Sequence, residues 1–182
     1  FVWTDNKVRE LLDSMYKGFP IGYIMLWASP EEYTRMNHIG KNNKTYSVPD
    51  DLVIDGQQRL TALLAAILGI QIKDKNYNER FIKISFNPLK DDFQVWSQAY
   101  ERDPEYISAI SEVFQAEENH NVSKFRREYI KKVNDAREKN QKLELTDDEE
   151  DHIEDSINNL LNLKSYSLPT LKISAKANEE DV

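Results

Sequence analysis

Asp55, Gly56, Gln57, Gln58 and Arg59 place a carboxylate, a bare backbone position, two amides and a fixed cation in direct succession. They stand where the apolar run "LVID" (52–55) gives way to a helical pattern from Gln57 to Gly69. Free N–H groups at a helix start, a glycine that admits close approach and a flanking guanidinium together form a natural phosphate cradle. The amides of Gln57 and Gln58 suit a sugar, a base edge or an attacking water. The same residues also have a purely structural account. Asp55 is a strong N-cap type, Gln58 three positions later completes a capping-box variant, and Gly56 serves a tight turn. Two features fit that account less well. A cation in the first helical turn, as Arg59 is, loses about 0.3–1 kcal/mol against the macrodipole unless an anion such as Asp55 is close. Gly56 also falls on the side of the helix leucines, where a missing side chain lets another group approach the backbone. The two accounts are compatible.

The elements that must hold these residues are readable from periodicity. Thr4 or Asp5 can cap a first helix whose buried face is Val8, Leu11, Leu12 and Met15, stopped by Gly18 and Pro20. "IGYIMLW" (21–27) reads as a buried strand, and Ser29-Pro30-Glu31-Glu32 as a capping box opening a short helix. "NHIGKNNKTYS" (37–47) is a polar loop. "LVID" is a second strand, the helix from Gln57 should turn Leu60, Leu63, Leu64, Ile67 and Leu68 inward, and "FIKISF" (81–86) alternates like a third strand. From about Asp91 helical patterns take over: Tyr106, Ile107, Ile110 and Phe114; then Phe125, Tyr129, Val133 and Ala136; then Ile153, Ile157, Leu160 and Leu161. Thr146 with Glu149 is a capping box for the last of these, and "SLPTLKIS" (167–174) returns to a strand pattern.

Composition narrows the function classes. The 182 residues contain 32 Asp and Glu against 24 Lys and Arg, a formal charge of −8, which argues against a surface that coats nucleic acid throughout. The chain has no cysteine, hence no disulfide framework and no thiolate metal site, as expected for a cytoplasmic protein. No run approaches the roughly 18 apolar residues of a membrane helix, so no membrane partner is expected. Phe1 in place of methionine and the ending "ANEEDV" are what a piece of a longer protein would show.

Other chemistry-bearing residues are better explained by structure. "DHIED" (151–155) juxtaposes His152 with carboxylates, but it follows a capping box on an acidic helical face, and His38 and His120 show no ligand spacing. The basic stretch 123–142 is expected to balance the acidic helix after it in an antiparallel hairpin, with a DNA-facing role for Arg126, Arg127, Lys131 and Lys132 as the alternative. Trp3, Trp27 and Trp96 are expected in the core; stacking on a base or a glucosylated pyrimidine is the alternative. Gly-x-x-x-x-Gly-Lys-Ser/Thr is absent, so a nucleotide site would not be a P-loop, and no Gly-x-Ser-x-Gly turn occurs.

The order helix, Gly-x-Pro-Ile, strand, loop, strand, glycine motif, helix resembles the ParB/sulfiredoxin-like fold. Gly56, Arg59 and Ala62 match Gly-x-x-Arg-x-x-Ala of the ParB phosphate motif, with Gln57 and Gln58 in place of a Glu-Arg pair. "FVW", "LLDSMYKGFPIG" and "VIDGQQRLTALL" are similar to signatures of the DGQQR family found in the GmrS part of GmrSD restriction enzymes and related phage-defence proteins. That resemblance spans residues 1–90 and implies a ParB/sulfiredoxin-like mixed core there; with the helical patterns read as a lobe over 91–165 and a strand in 166–182 rejoining the core, the expected fold class is α+β. The resemblance implies binding and hydrolysis of a nucleoside triphosphate with a divalent cation such as Mg2+, controlling cleavage of DNA, including modified DNA, by a separate HNH-type nuclease domain or subunit. Asp55, Gln57, Gln58 and Arg59 would be catalytic. Pro20, Ile21, Gly22, Gly56, Arg59 and Thr61 would bind nucleotide, and Asp55 would hold the metal. The alternative is a non-catalytic DNA- or protein-binding module of the same fold.

Overall fold

The computed structural model describes residues 1–28 and 50–174. Within these the protein is mixed α+β. The expected capping box at Ser29–Glu32 and the polar loop 37–47 lie outside the described residues. The described residues form two compact units, one of 1–21 and 58–166, the other of 22–28, 50–57 and 167–174.

The larger unit contains the hydrophobic core. Helix α1 (Asp5–Tyr16) is capped by Thr4, whose Oγ1 accepts from Lys7 N–H, and it buries Val8, Leu11, Leu12 and Met15. Gly18 at φ +73° ends it in the left-handed region that L residues avoid. A hairpin of β5 (Ile84–Asn87) and β6 (Asp92–Val95) buries Phe86 and Phe93, whose ring centroids lie 4.6 Å apart. A smaller hairpin joins β3 (Ile72–Lys73) and β4 (Glu79–Arg80). After the short α3 (Gln98–Arg102) come α4 (Ile110–Glu118), α5 (Val122–Lys139) and α6 (Asp147–Leu161), which bury Ile110, Val113, Phe114, Tyr129, Val133, Ile153, Ile157 and Leu160. Both halves of the Thr146–Glu149 capping box are formed. Arg137 pairs with Glu149 at 2.8 Å and Arg126 with Glu154, so the basic helix balances the acidic one in antiparallel order.

Two expectations are corrected here. Helix α2 (Gln57–Leu68) buries Ala62, Ala65 and Ala66, while Leu64 and Leu68 are exposed and Leu63 and Ile67 pack only at the core's edge. The small face lets the backbone come close: a Cβ on Gly69, just past the helix end, would sit 3.1 Å from Ser111. Tyr106 and Ile107 are not helical either. Ile107 exchanges backbone hydrogen bonds with Phe86 at 2.8 and 3.1 Å, extending the sheet instead.

In the smaller unit β1 (Ile24–Ala28) is central, antiparallel to β2 (Asp51–Asp55) and parallel to β7 (Thr170–Ile173). Leu26 faces Val53 but Met25 faces Asp55, so Ile54 is an extra residue, a bulge one position before the motif. The bulge shifts Asp55 by one place relative to β1 at the end of the ladder.

Candidate functional site

Gly56 carries the chain from β2 into α2 at φ +96°, and its position is buried. A Cβ there would overlap Cδ1 of Ile24. The glycine is therefore favoured by the backbone turn, and the close approach it permits is used by the tip of the Ile24 side chain. The helix starts at Gln57, which makes Gly56 the residue at the N-cap position and leaves Asp55 as the last residue of β2, exposed. The N-cap expected at Asp55 is thus displaced by one residue. The two amides have partners within the protein. Gln57 Nε2 donates to the Val53 carbonyl at 2.6 Å, and Gln58 Oε1 accepts from the Val2 N–H at 2.9 Å.

Arg59 is half-buried on the first turn of α2 and donates from a guanidinium nitrogen to the Ile21 carbonyl at 3.1 Å. It borders an open cavity of about 400 Å³ within the larger unit, lined also by Trp3, Lys7, Glu10, Leu11, Ser14, Pro20 and Ile21. Lys7 Nζ lies 4.5 Å from the centroid of the Trp3 ring, and Glu10 pairs with Arg9 at 3.4 Å. The lining thus carries two cations and one carboxylate, an indole, a hydroxyl and an apolar floor.

Of the residues singled out from sequence, Arg59, Pro20, Ile21 and Trp3 meet at this cavity, and Gln58 accepts from the N–H of Val2, the residue before Trp3. Gly22 (φ +90°), Asp55, Gly56 and Gln57 belong to the sheet unit, and Thr61 is half-buried one turn into α2. Lys7, Glu10 and Ser14 were not anticipated. Their signal was the polar flank of α1, where positions 7, 10 and 14 recur at helical spacing beside the buried stripe.

The histidine of "DHIED" serves a different network. His152 Nε2 lies 3.4 Å from Asp91 Oδ2, while Tyr16 and Ser156 donate to Asp91 Oδ1 at 2.5 and 2.7 Å. Ser156 points to the carboxylate and not to the imidazole, so these groups do not form a nucleophile–base pair. Burial first, and then the bond to Asp91, pushes the Tyr16 phenol well above its usual range, which keeps it a donor. Among the described residues no group of three or more His, Asp or Glu side chains could hold a metal ion, and no helix is long and apolar enough to cross a membrane.

The chain is thus an α+β protein whose larger unit carries an open cavity lined by an indole, two cations and a carboxylate. The family model described as "GmrSD restriction endonuclease, N-terminal domain" matches residues 1–182, and the chain belongs to that family. It is also 34% identical over 100 residues to an uncharacterized protein of Methanocaldococcus jannaschii, an alignment covering 50% of this chain and 17% of that relative. The chain therefore spans about a sixth of the length of the curated relative it matches.

Proposed function

We propose that this chain is the nucleotide-dependent regulatory domain of a modification-dependent DNA restriction protein acting in phage defence, with the nuclease in a separate HNH-type domain or subunit. The restriction role rests on family membership along the whole chain. The nucleotide role rests on one observation above others: Arg59 of the DGQQR motif borders a cavity that also holds Lys7 and Trp3. Two cations suit a triphosphate, and the Arg59 guanidinium, which donates to the Ile21 carbonyl, would neutralise the charge that develops when a phosphoryl group leaves.

Mg2+ is the cation this reading requires. It keeps most of its waters and takes only one or two carboxylates besides the substrate's own phosphates, and the motif's resemblance gives Asp55, exposed at the end of β2, as the carboxylate it would take. The ion would neutralise phosphate charge. The side-chain bonds of Gln57 and Gln58 favour structural duty for both amides in this conformation, with Gln57 bracing β2 and Gln58 holding the Val2 segment.

Calorimetry with a nucleoside triphosphate and magnesium tests the proposal on wild type and Arg59→Ala. A charge-assisted bond contributes about 1.5–3 kcal/mol, so the variant should bind about tenfold or more weakly. Phosphate release by the full-length protein should fall with it. Equal affinity in both proteins removes Arg59 from the role, and release that persists in the variant would point to contamination. A full-length protein that releases no phosphate would leave only the non-catalytic binding module.

A further inference from the structure

We infer that Trp3 is the platform on which the nucleotide's base lies and that Lys7 is a displaceable cover that moves from the indole to the phosphates when the base arrives. The inference rests on the nucleotide reading of the Arg59 cavity and names the part of that cavity that recognises the nucleoside.

Three observations carry it. First, Trp3 borders the cavity on one side while packing against the hydrophobic core on another. A ring gripped on its core side and bordering a cavity is pre-organised for stacking, because little side-chain freedom remains to be lost. Second, the Lys7 ammonium lies 4.5 Å from the ring centroid. The attraction of a solvent-exposed ammonium for an indole is weaker than the stacking of a nucleobase on an aromatic ring, so a base wins the competition for that face. Lys7 lines the same cavity as Arg59, and its long stem lets the displaced ammonium join the guanidinium around the phosphates. Third, the segment bearing Trp3 is pinned by the motif itself: Gln58 Oε1 accepts the Val2 N–H at 2.9 Å. Gln58 is on this account a positioning residue that acts through Trp3. On the other side, Arg80 donates to the Trp3 carbonyl at 3.0 Å and pairs with Asp5 at 2.5 Å, so the segment is held at both ends of the ring's own residue. Stacking accepts any base, which makes this platform a detector of nucleosides and not of one particular base.

The test separates the base from the phosphates. Wild type, Trp3→Ala, Trp3→Phe and Lys7→Ala are titrated by calorimetry with ATP and with inorganic tripolyphosphate, and tryptophan emission is followed in parallel. Trp3→Ala should weaken ATP about tenfold and leave tripolyphosphate unchanged. Trp3→Phe, which keeps a ring, should bind ATP within about threefold of wild type yet lose the ATP-dependent quenching. Lys7→Ala should weaken both ligands. The inference fails if Trp3→Ala binds ATP as tightly as wild type, or if it weakens tripolyphosphate equally, since the ring would then only be supporting the fold. It also fails if ATP binds wild type without quenching that Trp3→Phe removes; in each of these cases the nucleotide reading survives. If wild type binds neither ligand, the nucleotide reading itself falls, and this inference with it.

Discussion

At Gly56 two independent demands meet: a φ of +96° and the Ile24 side chain packed where a Cβ would project. Left-handed backbone disfavours an L side chain, and the overlap must be relieved by moving a packed neighbour. Gly56→Ala should therefore destabilise the protein by about 2–4 kcal/mol, combining backbone strain and overpacking. Chemical denaturation measures this directly. A loss under about 0.5 kcal/mol would mean that Ile24 is free to yield. The same packing changes the meaning of the motif. Its glycine holds a turn, its two amides brace neighbouring backbone, and Arg59 is the motif residue that reaches the cavity.

The paired helices α5 and α6 show how a local capping signal becomes an inter-element bond. Glu149 accepts from the Thr146 N–H at 2.9 Å to complete the box, and it also accepts both Arg137 nitrogens at 2.8 and 3.0 Å. The guanidinium first, and then the backbone bond, holds its carboxyl at about 2, well below the usual glutamate range. A folded-state value below the unfolded one means the ionised form is preferred in the native protein. The resulting stability is complete above the unfolded glutamate value and fades as pH falls from about 4.5 towards about 2. Thermal melts of wild type and Glu149→Gln should differ most near neutrality and converge by about pH 2. A gap of constant size across that window would show that the carboxylate's charge is not what stabilises the corner.

For the molecule as a whole, the larger unit is discontinuous in sequence, and its first 21 residues must return to a body built from 58–166. Apolar burial on α1 drives that return, and Tyr16 fixes its end by donating to Asp91, which also takes Ser156 and faces His152. Tyr16→Phe keeps the ring contacts with Phe86 and Phe93 and removes only the hydroxyl. The expected loss in urea denaturation is about 1–2 kcal/mol, since Asp91 retains another donor. No measurable loss would assign the closure to burial alone.

Periodicity alone located α1 with its four buried residues, the β2–α2 junction, α5, α6 and the Thr146 cap, because these depend on near neighbours and on which face is apolar. The family could be read there as well, since a short motif in its strand-to-helix setting is a local property. Tertiary structure decided what local rules do not weigh. Alanines and not leucines face inward on α2, because close approach selects small side chains over the most apolar ones. Ile107 joins a sheet, because Phe86 offers backbone partners that a helix would forgo. The wall made by Trp3 and Lys7 beside Arg59 unites residues more than fifty positions apart, and only the packing of α1 in the same unit as α2 brings them to one cavity.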